Sequence, residues 1–329
     1  MTEHRTLSVN GIRMHIATAG SGPLLLLCHG WPELWYSWRH QLTALGHAGF
    51  RVVAPDMRGF GATEAPAEIQ QYSIMHMVGD MVSLLRELGA ERAVIIGHDW
   101  GAPIAWTAAL LRPDLFPAVV GMSVPHRPRS AEAPLQLLRK AGLANHYWMY
   151  FQTPGVAEAE FEADVSTTLR QLLYGFSGDA PIDHENPLLV REDSGFLRRR
   201  VAPAQSPAWL QEHEIATFIA EYQRTGFRGG LNLYRNLDRN WELTAPWHGA
   251  QIRQPALFIA GTRDPVVAGQ AGQVALDHMI RAVPNVHKVM IEGAGHWIQQ
   301  ERPQQVNAAL LEFLASAAVQ AACGDGSRK

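Results

Sequence analysis

The stretch Gly97-His98-Asp99-Trp100-Gly101 constrains this chain more than any other, because it joins an apolar run, Ala93–Gly97, to a helical pattern over Ala102–Leu111. A strand that turns abruptly into a helix strains its central residue and leaves no room for side chains beside it. The flanking glycines, Gly97 and Gly101, meet that demand. The central side chain then projects above a sheet edge, next to a helix N-terminus that favours negative charge. Such a turn implies an α/β chain with a mostly parallel sheet.

The rest of the sequence is ordered accordingly. Arg5–Val9 and Ile12–Ala17 alternate around the turn dipeptide Asn10-Gly11 and predict a β-hairpin. Short apolar runs at Pro23–Cys28, Arg51–Pro55, Ala93–Gly97 and Pro117–Ser123 alternate with helical patterns, as in a parallel sheet flanked by helices. The clearest helix starts at Ser73 as N-cap, lines up Met77, Met81, Leu84, Leu85 and Leu88, and stops at Gly89. From Pro125 to Pro246 the strand rhythm gives way to a helical, aromatic and Pro-rich segment that reads as an insertion. Strand-like runs return at Pro255–Gly261 and His287–Glu292, and a last helix from Pro303 turns Val306, Leu310, Phe313 and Leu314 inward. The expected organisation is a core over 1–124 and 247–318, a helical cap over 125–246, and a tail over 319–329 that frays beyond Ala321. No internal repeat or low-complexity tract interrupts it.

Composition narrows the function. A chain of 329 residues, 47% hydrophobic and 18% charged, can bury a large core. Its net charge of −3 gives no reason to expect nucleic acid, and the run Arg198, Arg199, Arg200 reads as a solvated face. Cys28 lies in an apolar run and Cys323 in the polar tail, so no structural disulfide is expected between them. The N-terminus lacks a signal-peptide core, and no stretch approaches the roughly 18 apolar residues of a membrane span. The expectation is a cytoplasmic protein that does not engage membranes. A homodimer is compatible with this composition.

The chemistry follows from the central residue. A carboxylate attacking an acyl group gives an anhydride of little use, whereas attack on an sp³ carbon gives an ester that water cleaves. Asp99 therefore calls for a substrate with an electrophilic alkyl carbon. As an N-cap alone it would need no partners, but partners are present: Asp264 follows the run Pro255–Gly261, and His296 sits in Gly293-Ala294-Gly295-His296-Trp297 after the next one. The order nucleophile, acid, histidine at three strand ends brings all three to one edge of a parallel sheet. No histidine spacing suggests a metal site, and no glycine loop suggests a phosphate-bearing cofactor, so none is expected.

After the run Leu24–Cys28 comes His29-Gly30-Trp31-Pro32-Glu33. Together with the elbow, it makes the chain resemble the soluble epoxide hydrolases of the α/β-hydrolase fold over most of residues 5–316. That resemblance implies an oxyanion hole from the backbone N–H groups of Trp31 and Trp100, with His29, Gly30, Pro32, Gly97 and Gly101 shaping the turns and a cis bond before Pro32. It also implies two cap tyrosines that hydrogen-bond the epoxide oxygen. Tyr147, in Tyr147-Trp148-Met149-Tyr150-Phe151-Gln152-Thr153-Pro154-Gly155, and Tyr234, in Tyr234-Arg235-Asn236, match those motifs, whereas Tyr150 reads as packing. The stretch Asp56-Met57-Arg58-Gly59-Phe60-Gly61 matches the family too and is read as loop structure. The implied partners are water and an epoxide, apolar to judge by the aromatic and Met residues of the cap.

Two rivals use the same fold. Dehalogenases also employ an Asp nucleophile, and Trp100 and Trp148 offer indole donors for a halide. Their family patterns, however, put Asn at the position of Trp31 in one branch, and Arg at Trp100 with His near Tyr147 in the other. A receptor or scaffold on this fold would have no use for Asp99, Asp264, His296 and two cap tyrosines together.

Overall fold

The computed structural model describes residues 2–181, 187–191, 195–198 and 200–324. The described residues form eight strands: β1 (Glu3–Val9), β2 (Ile12–Ala19), β3 (Leu24–Cys28), β4 (Arg51–Pro55), β5 (Val94–His98), β6 (Val119–Met122), β7 (Ala256–Gly261) and β8 (Val286–Ile291). They make one sheet in the order β1-β2-β4-β3-β5-β6-β7-β8. Only the β1–β2 and β2–β4 pairings are antiparallel, so the sheet from β4 to β8 is parallel. Its central strands are continuous apolar runs because helices cover both faces. In β3, Leu24, Leu26 and Cys28 pack into one layer, while Leu25 and Leu27 pack into the other.

Helices α1 (Arg39–His47), α2 (Ile74–Glu87) and α3 (Gly101–Leu111) connect the first strands. Between β6 and β7 come α4 (Pro134–Lys140), α5 (Tyr147–Tyr150), α6 (Val156–Glu162), α7 (Val165–Gly175), α8 (Glu212–Thr225), α9 (Arg228–Arg235) and α10 (Leu237–Leu243). The chain ends in α11 (Gly269–Ala282), α12 (Ile298–Glu301), α13 (Pro303–Ala315) and α14 (Ala317–Gly324). None of these helices is by itself long and apolar enough to cross a membrane.

The hairpin, the parallel strands and the stripe of α2 lie where the periodicity put them, to within a residue or two. Four details differ. Ser73 does not cap α2: its hydroxyl pairs with His76 Nδ1 at 2.8 Å, and Asn240 Oδ1 of α10 takes the free Ile74 N–H at 2.7 Å. Of the inward set on α13, Val306, Leu310 and Leu314 are buried but Phe313 only half-buried. The chain does not fray at Ala321, because buried Val319 anchors α14 as far as Gly324; the tail beyond lies outside the described residues. Finally, Arg200 is not on a solvated face. It is buried, stacks its guanidinium on Phe196 and Phe176 at 3.7 and 4.6 Å, and donates to the carbonyls of Phe196 and Pro187. Aromatic faces and carbonyls there replace water around the cation. Arg198 is exposed, and Arg199 lies outside the described residues.

The Asp56–Gly61 loop contains an ion pair that its sequence alone does not reveal. Arg58 donates to both carboxylate oxygens of Asp80 at 2.6 and 2.8 Å, with both side chains buried, and so ties the loop to α2. The cysteines are unpaired: Cys28 is buried at the end of β3 and Cys323 is exposed.

Candidate active site

The elbow is built from close backbone approaches. A Cβ on Gly97 would lie 1.9 Å from the Gly101 carbonyl oxygen, and one on Gly101 would lie 1.9 Å from that of Cys28. Between them Asp99 has φ 49°, a left-handed conformation that costs a non-glycine residue about 1–3 kcal/mol. The gain is an accessible carboxylate at the mouth of α3.

Because Cys28 pairs with Gly97 in the sheet, the turn after β3 lies directly beside this elbow. Gly30 leaves room for it, since a Cβ there would lie 2.3 Å from the Asp99 side chain. The Trp31 N–H donates to Asp99 Oδ1 at 2.7 Å, and the Trp31–Pro32 peptide is cis. Trp100, the other expected donor, opens α3 half-buried. His29 holds the turn rather than reaching the cleft. Its Nε2 accepts the Met57 N–H at 2.9 Å, so Nδ1 carries the proton and donates to the Gly30 carbonyl at 2.8 Å. Burial depresses its pKa, in keeping with a neutral ring.

His296 lies between two carboxylates. Its Nδ1 is 3.0 and 3.1 Å from the oxygens of fully buried Asp264, and its Nε2 is 3.3 Å from Asp99 Oδ2. Asp264 is oriented in turn by the Val266 N–H at 2.9 Å. Burial disfavours the imidazolium, but Asp264 and then Asp99 outweigh it and hold the His296 pKa well above its ordinary value.

Tyr147 on α5 and Tyr234 on α9 line the same cleft as Asp99 and His296, with ring centroids 5.6 Å apart. Burial, together with the Asp99 charge, raises both phenol pKa values, so both hydroxyls stay protonated near neutrality. Tyr150 is elsewhere, its hydroxyl donating to Glu160 at 2.8 Å. Leu172, Phe176, Leu188, Phe196 and Val266 complete an apolar wall. A wider polar groove between Glu162 and Arg228 shares no lining residue with this cleft.

Two further buried residues were present in the motifs without an assigned role. His98 Nδ1 lies 2.6 Å from Glu33 Oε2, and His98 Nε2 lies 2.7 Å from the His296 carbonyl oxygen. The His296 carbonyl can only accept, so Nε2 donates to it. Burial opposes charge on Glu33, but His98 and the Gly30 N–H outweigh it and bring its pKa down to about 2. Glu33 Oε1 accepts from Gln299 at 2.7 Å and Gln300 at 3.3 Å. This network joins the turn after β3, the elbow and the loop of His296. The sequence signal was a Glu and a His inside two motifs that share a sheet edge.

Residues 23–303 match the α/β hydrolase fold family. The chain is 45% identical to "Epoxide hydrolase A" of Mycobacterium tuberculosis, over 94% of this chain and 96% of that protein. It is 43% identical to "Epoxide hydrolase 3" of Siraitia grosvenorii, over 95% and 98%. The crystal structure of epoxide hydrolase A from Mycobacterium thermoresistibile superposes with a TM-score of 0.90 at 46% identity, over 95% of this chain and 98% of that one. The chain thus belongs to the α/β-hydrolase family and, within it, to the epoxide hydrolases.

Proposed function

We propose that this epoxide hydrolase converts apolar epoxides to vicinal diols in two steps, with a covalent ester on Asp99 between them. In the first, Asp99 attacks a ring carbon, the C–O bond to that carbon breaks, and the departing oxygen, hydrogen-bonded by Tyr147 and Tyr234, takes a proton from one of the phenols, which is restored from solvent. In the second, His296 takes a proton from water, whose oxygen adds to the ester carbonyl. The N–H groups of Trp31 and Trp100 stabilise the oxyanion. The carbonyl carbon then releases the alkyl oxygen, which takes the proton held by the His296 imidazolium as the diol leaves, and Asp99, with one oxygen now from water, loses its remaining proton to solvent. The segment 125–246 acts as the cap that carries both tyrosines.

The observation that carries this reading is the shared cleft: Asp99 and His296 line it together with two protonated phenols. The charges also suit the order of events. While Asp99 is anionic it raises the phenol pKa values and supports the His296 imidazolium. Alkylation neutralises Asp99. The phenols then become better donors as the alkoxide forms, and His296 becomes a readier base for the second step.

The test is to block the second step alone. His296→Gln should form the ester at a rate close to wild type and hydrolyse it at least about 10³-fold more slowly. Intact-protein mass spectrometry should then show one epoxide added, on the peptide bearing Asp99. Normal turnover by this variant, or no adduct despite substrate binding, would contradict the reading.

A further inference from the structure

Glu301, at the end of α12, is a buried carboxylate that the two-step scheme does not use. It is 5% exposed, and among the described residues no Lys, Arg or His makes an ion pair with it. Its partners are three backbone N–H groups. Oε1 accepts from Trp297 at 3.0 Å, while Oε2 accepts from Gly295 at 2.9 Å and from Gly178 at 2.8 Å. Trp297 and Gly295 are the residues on either side of His296. Gly178 lies just past α7, beyond Phe176, whose carbonyl accepts the His296 N–H at 2.8 Å and whose ring lines the cleft.

We infer that Glu301 is a positioning residue for ester hydrolysis: its carboxylate fixes the backbone on both sides of His296 and ties that loop to the Phe176–Gly178 turn, setting where the imidazole meets the ester. Burial raises the Glu301 pKa against the pull of these three donors, and the carboxylate meets them best, because each N–H needs an acceptor and a carboxylate offers one at both oxygens. Glutamine has nearly the same shape but one oxygen. In one orientation its amide NH₂ faces the Trp297 N–H, and in the other it faces those of Gly295 and Gly178. Either way a donor meets a donor, and the His296 loop must move.

The groups used in the first step make no hydrogen bond to Glu301. Asp99 is fixed by its elbow and the Trp31 N–H, and the tyrosines by α5 and α9. Loss of Glu301 should therefore slow hydrolysis and spare alkylation, which a general loosening of the fold would not do.

The inference rests on the two-step reading, and the experiment keeps the two apart. Glu301→Gln and His296→Gln are each mixed with excess styrene oxide, and the Asp99 adduct is followed by quenched-flow mass spectrometry. The amplitude of adduct formation counts folded, competent enzyme. Glu301→Gln should alkylate within about twofold of the wild-type rate and hydrolyse the ester about 10- to 100-fold more slowly, as a small misplacement of a reacting group does. If that variant fails to fold, Glu301→Asp, which keeps both oxygens but is one methylene shorter, is read by the same ratio. Equal slowing of both steps, or unchanged hydrolysis, overturns the assignment of Glu301 alone, provided His296→Gln accumulates adduct. Absence of adduct in His296→Gln overturns the two-step reading and this inference with it.

Discussion

At Asp99 a left-handed backbone, glycines on both sides and a donated Trp31 N–H hold a carboxylate in the wall of the cleft. That much was legible, because the steric demand of the elbow is local and writes itself into five consecutive residues. The tyrosines were legible only by resemblance: Tyr147 and Tyr150 have the same local character, and it is tertiary packing that sends one to the cleft and the other to Glu160. Their proposed role predicts a step-specific loss. Tyr147→Phe or Tyr234→Phe should each slow ring opening about 10²-fold, as loss of one preorganised donor does. The double variant should nearly abolish it while keeping the wild-type circular dichroism spectrum. Single-turnover opening of styrene oxide checks this, and a double variant that works at the wild-type rate would remove both residues from the mechanism.

Among the elements, the pairing of β3 with β5 matters most, since it sets the Trp31 turn against the elbow and lets Glu33 reach His98. The strands were readable from their apolar runs, but their neighbours in the sheet were not, so Glu33 and His98 stood in the motifs with no visible partner. The same limit explains Ser73 and Arg200. A helix cap and an arginine run have default readings, and contacts distant in sequence, with Asn240 and Phe176, replace them. Glu33 is the shared partner of the Gly30 N–H, His98, Gln299 and Gln300, and glutamine keeps only one accepting oxygen and no charge, so Glu33→Gln should destabilise the fold by about 3–5 kcal/mol near neutrality. The pH dependence has a definite sign. Glu33 has its pKa lowered from 4.5 to about 2, so its stabilisation is complete above about 4.5 and is lost as pH falls toward 2. Urea unfolding of wild type and Glu33→Gln should converge over that window. A stability difference independent of pH would show that the carboxylate charge is not what holds the network.

Across the whole molecule, Trp31 links the two sides of the cleft. Its N–H reaches Asp99, while its ring packs at 5.5 to 5.9 Å against Phe151, Phe161 and Tyr234 from the inserted segment. The insertion itself was visible as a break in strand rhythm between β6 and β7. How it lies over the sheet was not visible, because that depends on aromatic contacts between residues more than a hundred positions apart. The proposed cycle runs through this cleft, and in it water attacks the Asp99 ester and never the epoxide carbon. A single turnover in ¹⁸O-water, with enzyme in excess over epoxide, tests this most directly. The first diol should be unlabelled and ¹⁸O should appear in the side chain of Asp99, found by mass spectrometry of its peptide. Label in the first diol and none in Asp99 would contradict it, and would make Asp99 a base instead of a nucleophile.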